Sequence, residues 1–498
     1  MTSVQDSAVT ENTSVIDADD LAQIKRKSVS GAVSYFGRTI FLNVIGLGSA
    51  VLLSIFFEPE DFGIYGFVIQ IIGILTFFSD IGLAAALVQK KLEPSLAEYR
   101  TAFTVQQILS WLIVLLTLGI IATGWIEEKT GTAGVWILIA LAISFPLASL
   151  KTISSVLLER KLDFSKLVIP SLFEQVAFYG ILVYMAWQNF GVISYAYAII
   201  VRSILGSLVM MFIQPWSLGI AFDKESFKTL FSFGFKFQLN DFLARIKDQL
   251  FYLALGSFLP LREFGYVSWA KQWSLYPYNL TVQNVMAITF PTFSRLQHNT
   301  DALKRAIEKT LFFITLVIFP IITGMSVFIY PLLAVFPEYE KWTPAALALI
   351  LFSLSVGWSA ISSPLTNTLN AIGEISTTLK LMIFWTVTTW ILTPLLIWVW
   401  GYNGVAIAAL IISFSSYLPI KYVQEKVKFD FVDQVWRQLV ASIVMATVAI
   451  FGADIWTSSV SHLLLGMITS GLVYALTVFS LGKDKILSEF RGILRSRK

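Results

Sequence analysis

The sequence predicts an all-α integral membrane protein with 14 transmembrane helices, on three observations. Of its 498 residues, 56% are hydrophobic and only 14% are charged, and the mean hydropathy is +0.73. Soluble domains have about 25% charged residues, so this chain needs lipid as its surroundings. Its apolar residues lie in stretches of about 20, the length that crosses a bilayer core. The polar connections between them are too short to form a globular domain.

The predicted spans follow one another with few interruptions. They lie at about 31–56, 63–88, 101–125, 134–157, 165–187, 191–214, 229–258, 264–290, 310–335, 344–369, 377–400, 403–423, 434–456 and 460–481. Residues 1–24 are polar and acidic, without the basic and then apolar pattern of a cleavable signal peptide. We therefore expect a disordered cytoplasmic tail there.

The positive charges orient the spans. With the N-terminus in the cytoplasm, 26 of the 36 Lys and Arg residues fall on the cytoplasmic side. The opposite side has three: Lys129, Arg262 and Lys341. Cytoplasmic loops are enriched in Lys and Arg, and one missed or invented span would destroy this asymmetry. We expect an even number of spans and both termini in the cytoplasm.

Two sequence motifs recur at the same six-span spacing. FEPEDFGIYG (57–66) resembles FLPLREFGYVS (258–268), and WQNFGVISYA (187–196) resembles WGYNGVAIAA (400–409). The offsets are 202 and 213 residues. A repeat of six spans preserves direction, so it predicts two parallel six-helix lobes with a substrate site between them.

This repeat divides the chain. We expect a cytoplasmic tail at 1–24, an N-terminal lobe at 25–214, a cytoplasmic linker at 215–228 and a C-terminal lobe at 229–424. Spans 13 and 14, at 425–481, are appended to the lobes, and a basic cytoplasmic tail follows at 482–498.

Ionisable residues within the spans are the candidate site residues, because a charge at bilayer depth is costly without a partner or water. Span 7 has the most. Asp241, Arg245, Asp248 and Tyr252 form one helical stripe in it. Arg245 is either a substrate-binding cation in a polar cavity or a structural partner of one of the two aspartates.

Further candidates lie in other spans: Arg38, Asp80, Glu174, Arg202 and Lys271. The cations favour an anionic substrate, although Arg38 lies near enough to a membrane surface to snorkel. Asp80, followed by Ile81 and Gly82, predicts a local helix break.

Span 8 places Trp269 and Trp273 at helical spacing around Lys271. Aromatic rings with polar edges suit sugar binding, and packing in the core or at the lipid interface is the alternative.

Several kinds of chemistry are not expected. The chain has no cysteine, two histidines, no phosphate-binding loop of the form G-x-x-x-x-G-K-[ST] and no G-x-S-x-G motif. We expect no catalytic residues, no metal site, no cofactor and no nucleic acid partner.

Several segments resemble one known family. They are PEDFGIYGFVIQIIGILTFFSDIGLAAALVQKK (59–91), LLERKLDFSKL (157–167), NDFLARIKDQLFYLALGSFL (240–259), FPTFSRLQ (290–297) and LNAIG (369–373). Together they resemble the oligosaccharide flippase or polysaccharide biosynthesis family (Wzx-type, WzxC-like) of the multidrug/oligosaccharidyl-lipid/polysaccharide exporter superfamily. The resemblance covers about 30–430. The chain differs at Glu374, where the family often has a basic residue.

The resemblance implies a 14-helix fold with two lobes around a central cavity. It also implies movement of an undecaprenyl-diphosphate-linked oligosaccharide to the periplasmic leaflet of the bacterial inner membrane, by alternating access. A diphosphate needs Arg or Lys. An ion gradient would drive transport, with Asp241, Asp248 and Glu174 as candidate carriers. Membrane lipids and the machinery of polysaccharide polymerisation or export are expected partners.

Two alternatives remain open. A drug/cation antiporter of the same superfamily would need an acidic, apolar cavity. An integral-membrane polysaccharide polymerase or ligase would need catalytic residues on the periplasmic face.

The charge asymmetry makes a direct prediction about topology. A C-terminal alkaline phosphatase fusion should be inactive and a C-terminal green fluorescent protein fusion should be bright, because both report a cytoplasmic C-terminus. The reverse pattern would contradict the even count of spans.

Overall fold

The computed structural model describes residues 37–39 and 41–495, without the side chains of 233, 235–247 and 486–495. Helices make up most of this part of the chain. In chain order the helices are α1 (Gly37–Phe56), α2 (Pro59–Leu75), α3 (Leu83–Gln89), α4 (Leu96–Ala122), α5 (Trp125–Ser149), α6 (Thr152–Arg160), α7 (Phe164–Trp187), α8 (Ser194–Ile213), α9 (Lys224–Phe258), α10 (Leu261–Leu296), α11 (Thr300–Val335), α12 (Ala346–Ala371), α13 (Ile375–Trp400), α14 (Asn403–Ser413), α15 (Tyr417–Lys426), α16 (Phe431–Phe451), α17 (Ala453–Trp456) and α18 (Val460–Arg495). Short 3-10 helices lie at Thr76–Ser79, Gly191–Ile193, Pro337–Ala345 and Phe414–Ser416.

Twelve helical segments of the described residues are long and apolar enough to cross a membrane. They correspond to predicted spans 1–6 and 9–14. Spans 7 and 8 correspond to α9 and α10, which have 35 and 36 residues and are also long enough to cross a bilayer, but are less apolar. The all-helical membrane fold is confirmed, and the count of 14 spans stays a prediction.

The second predicted span is broken where the sequence suggested. Ile81 and Gly82 have φ angles of 51° and 77°, between the 3-10 turn that follows α2 and the start of α3. The Asp80 carboxylate accepts a hydrogen bond from the backbone N–H of Ala84 (3.3 Å) in the first turn of α3. Gly82 has no Cβ, and its backbone lies directly against the backbone of Gly234 in α9. The break therefore lets two helices approach closely.

The first repeated motif lies at the boundary between the two halves, where its two copies contact each other. Gly63 of α2 lies on the carbonyl of Leu261, and Gly265 of α10 lies on the carbonyl of Pro59. An offset of 202 residues converts one contact into the other, since it relates Gly63 to Gly265 and Pro59 to Leu261, so the two N-terminal helix ends meet about an approximate two-fold axis. A side chain at either glycine would clash with backbone, so glycine at both positions allows the two halves to approach this closely.

Hydrogen bonds from tryptophans reinforce this contact. Trp269 of α10 donates to Ser54 Oγ (2.9 Å), and Trp342 donates to the Ser54 carbonyl (2.8 Å). The two indole rings stack with centroids 4.6 Å apart. The end of α1 is thus bonded to helices of the second half.

The appended helices pack on one side of the second half. α16 and α18 pack against each other and against α11. The Tyr474 hydroxyl of α18 donates to the Leu316 carbonyl of α11 (3.0 Å). These helices therefore extend the second half, and the lobe boundaries drawn from the sequence stay a prediction.

The glycine contact predicts that alanine destabilises the protein at Gly63 and Gly265 but not at a glycine outside the contact. Gly63→Ala and Gly265→Ala should each lower the stability of the purified protein by about 1–3 kcal/mol, because each added methyl group meets a backbone carbonyl. The measurement is the thermal unfolding temperature in detergent.

Gly180→Ala is the matched control, since its Cβ would meet no atom within 4 Å and alanine favours a helix. Equal unfolding temperatures in all four proteins would contradict the close contact.

Candidate functional site

A polar cavity of about 760 Å³ lies between α2 of the first half and five helices of the second half. The five are α9, α10, α12, α13 and α14. Among the described lining residues, the first half contributes those of α2 alone: Phe62, Tyr65, Gly66, Ile69 and Gln70. The cavity therefore lies between the halves, as the repeat predicted, but most of its wall comes from the second half.

The register of α10 decides which of its side chains reach this cavity. Phe264, Ser268, Lys271, Gln272 and Leu275 line it, at the spacing of one helical face.

Lys271 and Asp248 are the charged groups among the described lining residues. The Lys271 ammonium lies 3.4 Å from the ring centroid of Tyr252, which α9 places on the same wall. An aromatic face attracts a cation, and the attraction strengthens away from water. Tyr252 thus holds a positive charge at the surface of the cavity.

A stripe of serines on α12 forms another wall. Ser355, Ser359, Ser362 and Ser363 recur at helical spacing and line the cavity. These serines are not among the candidates predicted from the sequence, because single serines are common in membrane helices. Their spacing of three to four residues within an apolar span was the available signal.

The hydroxyl groups of this wall already donate hydrogen bonds to backbone carbonyls. Ser359 donates to the carbonyl of Ser355 (3.1 Å), and Ser363 donates to the carbonyl of Ser359 (2.7 Å). On α13, Thr386 and Thr389 donate in the same way to carbonyls four residues back, each at 2.7 Å. A hydroxyl that donates to the backbone keeps its acceptor lone pairs, so this wall can accept hydrogen bonds from hydroxyl groups of a ligand.

A second cavity, of about 520 Å³, lies on another side of α10. Its lining is apolar over most of its surface and includes side chains of the appended helices α16 and α18. The lining residues are Val51, Ile55, Trp269, Trp273, Pro320, Ile321, Gly324, Met325, Phe328, Ile329, Leu332, Phe336, Tyr339, Leu349, Met445 and Met467. Such a surface suits a hydrocarbon chain.

The two candidate tryptophans belong to this second cavity. Trp269 is only 2% exposed and stacks on Trp342, while Trp273 is half-buried beside it. Neither is among the lining of the polar cavity, which has Trp385 and Trp390 of α13 instead. The structure therefore supports packing for Trp269, and a sugar-binding role for either residue stays a prediction.

The other candidate cations either are not among the lining of the polar cavity or have side chains outside the described residues. Arg202 of α8 lies over the ring of Phe178, 5.5 Å from its centroid. Neither Arg202 nor Arg38, which is half-buried in α1, is among the cavity lining. The side chains of Asp241 and Arg245 lie outside the described residues.

Glu174 forms an ion pair with Lys151 inside the first half. The Glu174 side chain is 9% exposed and that of Lys151 is 26% exposed. Gly206 of α8 makes room for this carboxylate, because a Cβ there would clash with it. Lys151 therefore has a partner within the protein, and Glu174 is already neutralised without a bound ion.

Glu374, where the chain differs from the family it resembles, forms an ion pair with Lys426 (2.5 Å). The hydrogen bond from Lys426 lowers the pKa of the Glu374 carboxyl, which favours its charged form. The connection before α13 thus has a charge contact, in which residue 374 is the acidic partner and Lys426 of α15 is the basic one.

Comparison with known proteins agrees with this architecture. A family model described as "Polysaccharide biosynthesis protein" matches residues 52–347. The succinoglycan biosynthesis transport protein ExoT of Rhizobium meliloti (strain 1021) is 22% identical over 325 residues. That match spans 65% of this chain and 65% of the relative's length.

Two solved structures share the fold. Lipid II flippase MurJ in an inward closed conformation aligns with a TM-score of 0.72 at 18% identity, over 92% of this chain and 100% of that one. An inward-facing multidrug resistance MATE family transporter of the MOP superfamily aligns with a TM-score of 0.54 at 13% identity, over 77% and 95%. The two-lobe transporter fold is thus confirmed, and the proteins named are transporters or flippases rather than enzymes.

The Lys151–Glu174 pair yields a prediction that separates structure from transport. Lys151→Met alone should lower stability by up to about 3 kcal/mol, because it leaves a buried carboxylate unpaired, and adding Glu174→Gln should restore it. Thermal unfolding and membrane abundance are the measurements.

A different outcome would indicate ion coupling. If Glu174→Gln alone keeps full abundance and stability but abolishes transport, the carboxylate is an ion carrier and the structural interpretation is wrong.

Proposed function

Because the chain belongs to the polysaccharide biosynthesis protein family, we propose that it flips an undecaprenyl-diphosphate-linked oligosaccharide from the cytoplasmic to the periplasmic leaflet of a bacterial inner membrane. The product would enter the synthesis of exopolysaccharide, capsule or O-antigen. Both termini would lie in the cytoplasm, and the machinery of polymerisation or export would receive the flipped oligosaccharide.

One observation supports this proposal above the others: α10 separates a polar cavity from an apolar one. A lipid-linked oligosaccharide has the same two parts, a glycan with many hydroxyl groups and a long hydrocarbon chain. The serine and threonine wall offers acceptors to the glycan hydroxyls. The apolar cavity, which residues of α16 and α18 help to line, offers a surface for the hydrocarbon chain. The polar cavity offers no such surface.

The diphosphate would bind where the two parts join. Lys271 faces the polar cavity from α10, the helix that also lines the apolar cavity. An ammonium group is a compact donor to phosphate oxygens. Arg245, on the neighbouring helix α9, remains a second candidate from the sequence.

Movement across the membrane would follow from the two halves rocking against each other, so that the cavity faces each side in turn. We propose coupling to an ion gradient, with Asp248 in the cavity wall as a candidate carrier beside Asp241. Glu174 is the weaker candidate, because Lys151 already occupies its carboxylate.

The drug/cation antiporter is the second candidate function, and the fold shared with a multidrug transporter favours it. The hypothesis of a polymerase or ligase is disfavoured, since the related proteins are transporters and flippases. An antiporter for cations would need a cavity that attracts positive charge, and Lys271 disfavours that.

Reconstituted vesicles test the proposal. Purified protein should move a fluorescent polyprenyl-diphosphate-linked oligosaccharide between leaflets, and Lys271→Ala should slow this by about tenfold to a hundredfold, the loss expected for one charged hydrogen bond. Lys271→Arg should keep part of the rate. The measurement is the loss of leaflet asymmetry, which is monitored by quenching the fluorophores in the outer leaflet.

Lys380→Ala is the matched control, since Lys380 is exposed on α13 and is not among the cavity lining. A full rate for Lys271→Ala would contradict its role. Export of cationic dyes without glycolipid movement would favour the antiporter.

A further inference from the structure

The charge asymmetry predicts one membrane face with few positive charges, which we call the sparse face. Its three cationic residues are Lys129, Arg262 and Lys341. The connections that bear them contact one another in the fold. Two of the three side chains bond across the boundary between the halves, and they do so in the same manner.

Lys129 belongs to α5 of the first half and bonds to the end of α9 in the second half. Its ammonium donates to the carbonyls of Ser257 (3.1 Å) and Leu259 (2.9 Å). The last carbonyls of a helix lack partners within the helix and lie at the negative end of its dipole. An ammonium group is therefore a well-suited cap for the C-terminus of α9.

Lys341 makes the reciprocal contact. It belongs to the 3-10 helix Pro337–Ala345 of the second half, and its ammonium donates to the carbonyl of Ile55 (2.7 Å) at the end of α1. It also donates to Glu58 Oε1 (3.2 Å) in the connection to α2. Its side chain is 17% exposed, so water screens the contact only partly.

The two contacts are related by the internal repeat. Ser257 follows Ile55 by 202 residues, the offset that relates Gly265 to Gly63. Lys341 follows Lys129 by 212 residues, within one residue of the offset of the second repeated motif. Each half thus provides a lysine for the C-terminal carbonyls of the other half's first helix.

We propose that Lys129 and Lys341 form a pair of reciprocal bridges that hold the two halves together on the sparse face, and that both break when the halves separate there. Both bridges flank the Gly63–Gly265 contact, where the halves are closest. The bridges would bias the empty protein toward the closed arrangement on this face. The inference uses the two-lobe architecture and does not depend on which substrate is moved.

Arg262 provides a matched control on the same face. Its guanidinium donates to the hydroxyl of Tyr266 (3.2 Å) within its own helix, α10. Replacing it removes a positive charge from the sparse face, and the hydrogen bond that is lost lies within α10 and not between the halves.

Spin-label distances test the proposal, and the absence of native cysteine makes site-specific labelling direct. One label replaces Ala122, at the end of α4, and the other replaces Thr343, in the second half; both positions are exposed. Pulsed electron paramagnetic resonance in lipid nanodiscs without substrate measures the distance distribution. We expect Lys129→Gln with Lys341→Gln to raise the ratio of long to short distances by at least about tenfold, since two charged hydrogen bonds are lost.

Each single substitution should give an intermediate ratio, and Arg262→Gln should leave the distribution as in the parent. The proposal is overturned if the double variant keeps the parent distribution, or if Arg262→Gln shifts it equally. If the double variant elutes as an aggregate, the single variants decide, and an unchanged ratio in both overturns the proposal. Because no substrate is present, a failure to flip glycolipid would leave this result unaffected.

Discussion

The contact between α2 and α10 at Gly63 and Gly265 is the constraint on which the rest of the structure depends. With no Cβ at either residue, the backbones of the two helices meet directly, and each glycine lies on a carbonyl of the other helix. This contact fixes α10 at the boundary between the two halves. Because α10 lies at this boundary, its two faces can line two separate cavities, one polar and one apolar.

The two halves share a repeated sequence pattern, and both bond polar side chains within the protein. In the first half, buried polar side chains satisfy one another: Lys151 pairs with Glu174, and Asp80 accepts from Gln106. On α12 and α13 of the second half, hydroxyl groups of Ser359, Ser363, Thr386 and Thr389 bond to their own backbone and line the polar cavity. A polar group in a membrane must find a partner or water, and these side chains find partners within the protein. Most of the lining of the polar cavity comes from the second half.

The helices approach closely at two levels, one at each end of the second predicted span. At the sparse face, Gly63 and Gly265 bring α2 and α10 together beside the two lysine bridges. At the far end of the same span, Gly82 and Gly234 bring the break before α3 against α9. An alternating-access cycle would open one level while the other remains closed. The polar cavity lies between the two levels, since residues of α2 that follow Gly63 line it.

The sequence by itself determined the membrane class, the helical fold, the helix break at Asp80 and the presence of a repeat, because these depend on composition and on local spacing. It also identified Lys271 as a charged group that faces a cavity, since a cation in a span needs a polar environment. Only the tertiary structure decided that Trp269 packs on Trp342 and that Glu174 pairs with Lys151. Those outcomes depend on which helices are neighbours and on how each is rotated. Rotation moves a residue from one face to another without changing its spacing, so no local pattern can specify it.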